Sequence, residues 1–319
     1  MSSEDHVNPI HSVLHHTQVG KCIPTERKIF NVAPTASVEE AVKLLSEHKI
    51  QSCPVIKFNK DAPKFECVGM VDMLDIASYV VSVAPTDREL EDHELKRLEM
   101  AGRAMSLVPI TRVIDHSGRD PLMPLYENSP LSEVCSLFGQ GIHHVVIFNQ
   151  ESEEVVNVYS QTDLIKFLVG HLHMGESKAV SSKTAGELGI GASGIVKVSS
   201  SSTVIEGLRL MQKEKISSLA LVDPLTDRLV GNFSASDLVG LYQEHFPSFK
   251  SSLKDFLETH SEKSLSPNCA RLDSTLLDIV KLLDENNLHH LWVVDDDFKP
   301  TGIISITDIC RAISNYQYF

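Results

Sequence analysis

Hydrophobic positions along the chain fall into one pattern that recurs four times. Each recurrence opens on a hydroxyl residue, Ser37, Ser129, Thr203 or Thr275, set just before an apolar stretch with helical spacing. An acid follows three residues later at Glu40, Glu206 and Asp278, and four later at Glu133, close to the spacing of a capping box. These positions predict four helix N-termini. Thirteen residues past each cap stands a large aliphatic: Ile50, Ile142, Ile216 and Leu288. A short apolar run comes next, in "CPVIKF", "HVVIFN", "LALVD" and "LWVVDD", and reads as a strand. A polar turn and a second strand follow ("CVGMV", "VVNVYS", "LVGNFS", "TGIIS"), and then an acid, Asp75, Asp163, Asp237 or Asp308, opens another apolar-periodic stretch. A short leading strand such as "KIFNV" or "GIVKV" precedes the unit.

The fold class expected from four such units is α+β. The last three acids lie 71 to 74 residues apart, whereas Asp75 and Asp163 are 88 apart. The extra length falls in 84–120, where "TDRELEDHELKRLEMAGRAM" has the charge alternation of a solvent-facing helix. A second seam, 173–192, is small and polar. The expected division is therefore a lead segment 1–27, repeats at 28–83, 121–172, 193–246 and 264–319, a helical linker 84–120, an inter-module linker 173–192 and a connector 247–263, with the repeats in two tandem pairs. Odd and even units differ: the second and fourth carry His143-His144 and His289-His290 after the aliphatic marker, the first and third Gln51-Ser52 and Ser217-Ser218.

Composition narrows the function classes. With 42% hydrophobic residues in 319, the chain can bury one large core or two medium ones. Its net charge of −14 argues against nucleic acid or an anionic membrane as the main partner, so any small anion needs a local pocket. The N-terminus lacks a signal-peptide profile and no apolar run is long enough to span a bilayer, which predicts a soluble, cytoplasmic protein with nuclear access left open. Cys22, Cys53, Cys67, Cys135, Cys269 and Cys310 form no C-x-x-C pair and read as reduced packing residues, without a disulfide framework or a metal site.

Four features bear on chemistry. Gly189, Gly191 and Gly194 spell G-x-G-x-x-G, yet a polar segment precedes them and a strand pattern follows, the reverse of the strand-to-helix context that a dinucleotide phosphate requires. An NAD-dependent enzyme survives as a reading only if this stretch opens a helix. Three units end in Ser160-x-x-Asp163, Ser234-x-x-Asp237 and Ser305-x-x-Asp308. A carboxylate at a helix start can accept hydrogen bonds from both ribose hydroxyls, and a nearby serine can donate to a phosphate; equally, the acid can simply cap its helix. Both readings stand at this point. Adjacent histidines on a strand point to opposite faces and make a poor metal site, which leaves one histidine of each pair facing an anion and the other packed, or both packed. No nucleophile elbow or triad pattern is present, so no catalysis is expected.

The paired helix-strand-strand-helix unit closing in S-x-x-D resembles the cystathionine β-synthase (CBS) domain. Four of them, with "CIPTERKIFNVAPTASVEEAV", "LGIG", "NLHHLWVVDDD" and "TGIISITDI", are similar to the γ regulatory subunits of AMP-activated and sucrose-non-fermenting-type protein kinases. The resemblance covers Cys22 to about Ser314. It implies two Bateman modules in a pseudo-symmetric disc, with AMP, ADP or ATP as regulatory ligands and no catalytic cofactor. It implies ribose-binding acids at Asp75, Asp163, Asp237 and Asp308, and phosphate-side hydroxyls at Ser217, Ser234, Ser305 and Thr307, with Ser160 in the matching place of the second repeat. Phosphate contacts fall on His143, His144, His289 and His290, and Ala192, Ser193 and Ile195 line a pocket at the entry to the third repeat.

The sequence departs from that family at several of these positions. Histidine replaces the family's arginine in both even repeats, so phosphate attraction should weaken or become pH-dependent. Asp72 and Gln51 both reduce it in the first unit. Asp163 stands where animal subunits carry a basic residue, which predicts an open second site. The implied partners are α-type catalytic and β-type scaffold kinase subunits. The alternative is a free-standing CBS protein, as a homodimer, that binds an adenosyl ligand and regulates another enzyme.

Overall fold

The structure is a computed structural model that describes residues 9–24, 26–61, 64–83, 104, 107–172, 177–192, 194–239, 243–260 and 267–315. Most of the proposed linker helix therefore lies outside the described residues.

The four predicted helix starts give α2 (Val38–Glu47), α4 (Leu131–Gly139), α7 (Val204–Glu214) and α9 (Leu276–Glu285). Ser37, Thr203 and Thr275 cap three of them by accepting the backbone N–H of Glu40, Glu206 and Asp278. Each such cap contributes about 1 kcal/mol. Ser129 is the exception, because its hydroxyl accepts the Tyr126 N–H in the preceding turn and Pro130 takes the cap position. Each helix buries the same stripe, at i, i+3, i+4 and i+7: Val38, Ala41, Val42 and Leu45 in α2, Leu276, Ile279, Val280 and Leu283 in α9.

All four helices stop the same way. Lys49, Gly141, Lys215 and Asn287 turn to positive φ directly before the aliphatic markers. The marker amides then reach back to carbonyls five residues earlier: Ile50 to Leu45 at 3.0 Å, Ile142 to Leu137 at 3.3 Å, Ile216 to Met211 at 3.0 Å, Leu288 to Leu283 at 2.8 Å. This left-handed stop aims the chain into the strand.

The strands form antiparallel hairpins: β1 (Ser52–Asn59) with β2 (Lys64–Asp72), β4 (His144–Phe148) with β5 (Val155–Ser160), β7 (Ser218–Val222) with β8 (Leu229–Ser234), and β10 (His290–Val294) with β11 (Pro300–Ser305). Asn149, Asp223 and Asp295 shape three of the turns by accepting backbone N–H groups two to four residues on. Short parallel lead strands β3 (Pro124–Tyr126), β6 (Lys197–Ser199) and β9 (Cys269–Ala270) complete three sheets. In the first repeat "KIFNV" supplies only the isolated bridge Val32–Val55. The closing helices are α3 (Met73–Val83), α5 (Gln161–His171) and α10 (Ile306–Asn315); in the third repeat the acid opens only a 3₁₀ turn, Ala235–Leu238, and the short α6 (Lys178–Ser181) lies in the seam before that repeat.

The described chain packs as two compact units that do not follow chain order. One gathers residues within 1–28, 123–195 and 268–319, hence the second and fourth repeats with α1 (Pro9–His16). Here α10 crosses α4 closely, with Arg311 Nε donating to the Gly139 carbonyl at 3.1 Å and Cys135 Sγ 3.6 Å from the Cys310 carbonyl. The other gathers residues within 29–122 and 196–267, the first and third repeats, with α8 (Leu253–His260). Its core includes Val38, Leu45, Val55, Leu208, Leu219 and Phe233.

Candidate functional site

Each second strand ends on a residue that caps the next helix, and the acid three residues on completes the cap. Asp163 Oδ2 accepts from the backbone N–H of Ser160 at 2.9 Å and from its hydroxyl at 2.8 Å. Asp237 Oδ2 does the same with Ser234 at 2.8 and 2.8 Å, and Asp308 Oδ2 with Ser305 at 2.9 and 2.6 Å. In the first repeat Asp72 N–H donates to Asp75 Oδ2 at 3.1 Å and Asp75 N–H to Asp72 Oδ1 at 2.7 Å. The capping reading of these acids therefore holds. It does not exclude the ligand reading, because the cap uses Oδ2 and leaves Oδ1 outside it.

What meets Oδ1 differs between repeats. Asp308 Oδ1 takes a 3.2 Å bond from Arg311, whose side chain is 54% exposed. Asp75 Oδ1 accepts the Ser117 amide at 2.9 Å. Asp163 is held by Arg27 in a two-pronged pair, Nη2 to Oδ1 at 2.5 Å and Nη1 to Oδ2 at 2.9 Å, while Nη1 also reaches the Val158 carbonyl at 3.4 Å. At the second site, expected to be open, the structure places a cation from the lead segment on the carboxylate.

The electrostatics follow. Burial alone would raise the Asp163 carboxyl, but hydrogen bonds from Arg27 and Ser160 more than offset it and hold it below the ordinary carboxylate range. Asp72 is pushed well above that range by burial and by the charges of Asp75 and Asp120. Burial also raises Asp75, against hydrogen bonds from Ser117. Burial also lowers the Arg119 guanidinium, against the charges of Asp120 and Asp72, which raise it.

Strand register sorts the histidines. His144 lies directly opposite Ser160, His290 opposite Ser305, Ser218 opposite Ser234 and Ser52 opposite Asp72. Opposed residues share a sheet face, so the second member of each pair lies on the hydroxyl's side and the first on the other. The carbonyls of His143, Ser217 and His289 instead accept the amides of Gln161, Ala235 and Ile306 at 3.0, 3.0 and 3.1 Å. His290 meets Trp292 edge to face at 5.0 Å. Thr307 Oγ1 accepts from Gln161 Nε2 at 2.9 Å, which commits a lone pair and leaves its proton for an outside acceptor.

The glycine stretch opens no helix. Gly189 and Gly191 have φ +67° and +88°, and the chain continues to β6. The NAD-enzyme reading falls with it. Gly191 lies close against Val293 and Ile304, so this segment borders the fourth repeat. Ala192 is exposed and Ile195 half-buried; Ser193 lies outside the described residues.

Sequence reasoning missed Arg27, Ser117, Gln161 and Ser218. Strict alternation from the aliphatic marker could have found Ser218. Nothing local announces the others, which act on residues 136, 42 and 146 positions away. Among the described residues no three His, Cys, Asp or Glu side chains gather as a cation site, and no helix is long and apolar enough to cross a membrane.

The family model for the CBS domain matches residues 20–82, 115–170, 189–244 and 264–315. Protein SDS23 of Kluyveromyces lactis is 25% identical over 341 aligned residues, covering 95% of this chain and 64% of its own length. Protein sds23 of Aspergillus clavatus is 28% identical over 276, covering 81% and 51%. The chain thus spans about half to two-thirds of these curated relatives. Protein MJ1225 of Methanocaldococcus jannaschii, a proposed archaeal homolog of g-AMPK, superimposes with a TM-score of 0.71 over 92% of this chain and 99% of its own, at 19% identity, a likeness of fold.

Proposed function

The chain belongs to the CBS domain family, and on that premise we propose that it is a non-catalytic regulatory protein that binds adenosyl ligands and reports them to a partner. The observation that carries this reading is the arrangement around Asp308. Its Oδ2 is fixed by Ser305, its Oδ1 is met by a single prong of the half-exposed Arg311, and His290 shares the sheet face of Ser305. A ribose diol on Oδ1 would leave the ligand's phosphates toward Thr307 and His290. AMP, ADP and ATP differ in phosphate number, and only a difference in their affinities for two states can shift a partner's activity.

Two partner readings follow. In the first the chain is a γ-like subunit that joins α-type catalytic and β-type scaffold subunits of a Ser/Thr kinase. In the second it is a free-standing regulator, as a homodimer, that controls another enzyme. Histidine or glutamine at the family's arginine positions favours the second. Calorimetric titration with AMP, ADP and ATP tests the ligand, with Asp308→Ala and Asp237→Ala as controls. Saturable binding weakened by either substitution supports the reading; no heat from any of the three overturns it. Co-purification of a kinase separates the two partners.

A further inference from the structure

We propose that Arg27 is a built-in occupant of the second site and closes this repeat to a ribose by a side chain that one substitution removes. The inference rests on the ribose-binding role proposed above for the helix-start acids.

The chemistry is one of mimicry. A vicinal diol offers a carboxylate two parallel O–H donors; a guanidinium offers two parallel N–H donors with a fixed charge. Arg27 uses both on Asp163, one on each oxygen. With Ser160 already on Oδ2, that oxygen takes three donors and Oδ1 takes one, from Nη2, so a diol must compete with the guanidinium for Oδ1. The pair is also sheltered, Asp163 having a side chain 10% exposed and Arg27 one 32% exposed. Shelter strengthens the pairing and makes a lone Asp163 charge costly, so the fork does not drift off as a surface arginine would.

Comparison within the chain isolates the effect. Asp308 is met by a single prong from an exposed arginine one turn along its own helix, a contact of small value. Asp75 receives a backbone amide that no side-chain substitution removes. At Asp163 the blocking group is one side chain, delivered by the lead segment of the first repeat, which packs in the unit that holds the second and fourth repeats. A ligand must displace that side chain before it can bind, and its apparent affinity is reduced by the fraction of time the site stands open. Arginine stays charged across the physiological range and Asp163 is held ionised, so a change of pH does not release the lock.

The test uses adenosine, which carries the diol but no phosphate to re-pair Arg27, and AMP beside it. The full-length chain, Arg27→Met, Asp163→Ala and the double variant are titrated calorimetrically. The expected result is one additional equivalent of adenosine bound by Arg27→Met, at least about tenfold tighter than any wild-type binding at that site, and loss of that equivalent in the double variant. Asp163→Ala alone should leave wild-type stoichiometry unchanged. The inference is overturned if folded Arg27→Met binds no more adenosine than wild type, or if Asp163→Ala removes an equivalent from wild type. Should Arg27→Met not fold, Arg27→Lys keeps the charge but loses the fork and must show the same gain in weaker form. Failure of Asp308→Ala and Asp237→Ala to affect any binding would sink the parent reading; an effect there without a gain on losing Arg27 sinks this inference alone.

Discussion

Gly302 in β11 lies directly against the carbonyl oxygen of Gly191, so close that a Cβ on Gly302 would overlap it. The stretch leading into the third repeat therefore crosses a strand of the fourth. Gly69 in β2 stands likewise against Ile114, from the stretch that leads into the second repeat. Lead segments are exchanged, and bare backbone is what lets them approach.

Gly302→Ala should displace the crossing segment and cost about 1–3 kcal/mol, as overpacking does. Trp292, the sole tryptophan, is buried in β10 beside Gly302's strand and reports on this unit. Denaturant unfolding followed by its fluorescence should show a lowered midpoint with an unchanged slope. An unaltered midpoint would refute the crossing.

Lys49 and Lys215 occupy the left-handed stop where the second repeat has Gly141. A side chain at such φ strains the backbone by roughly 1–2 kcal/mol. Lys215→Gly is expected to stabilise by about 0.5–1 kcal/mol after the added freedom of the unfolded chain is subtracted, and Gly141→Ala to destabilise by about 1 kcal/mol. Thermal melts of the two variants, moving in opposite directions, would check both.

Asp72 should make the protein less stable as pH rises. Its carboxyl is raised in the folded state by burial and by Asp75 and Asp120, so the folded chain holds its proton more tightly than the unfolded one. That contribution is complete below the ordinary carboxylate value near 4 and is lost as pH climbs through the raised one. Asp72→Asn keeps the oxygen that accepts from Asp75 N–H and removes the charge. It should gain on the order of 1 kcal/mol at pH 7, with the gain vanishing toward pH 4. A urea series across that range decides it.

Asp163 carries the opposite sign. Its carboxyl is lowered, so its stabilisation is present above about pH 4 and disappears as pH falls through the folded value. Asp163→Asn should cost about 1–2 kcal/mol at pH 7, less than a fully buried pair because Arg27 is partly solvated, and should flatten the acid limb of the stability profile. A variant that still loses stability as steeply below pH 4 would contradict this.

Sequence alone determined the fourfold repeat, three of the four hydroxyl caps, the strand pairs and the acids that open the closing helices. Each depends on neighbours within a few residues, where spacing dictates geometry: a hydroxyl reaches an amide three positions on, and a period of 3.6 or 2 defines a buried face. Tertiary structure decided the rest. Pro130 displaced Ser129 because the hydroxyl found a nearer amide at Tyr126. The third repeat's acid opened only a 3₁₀ turn. Which repeats pack together, which lead segment meets which acid, and that Arg27 closes on Asp163 across 136 residues were not legible. An ion pair or a backbone crossing leaves no periodic trace, since any arginine could meet any aspartate until the fold fixes which two share one buried place.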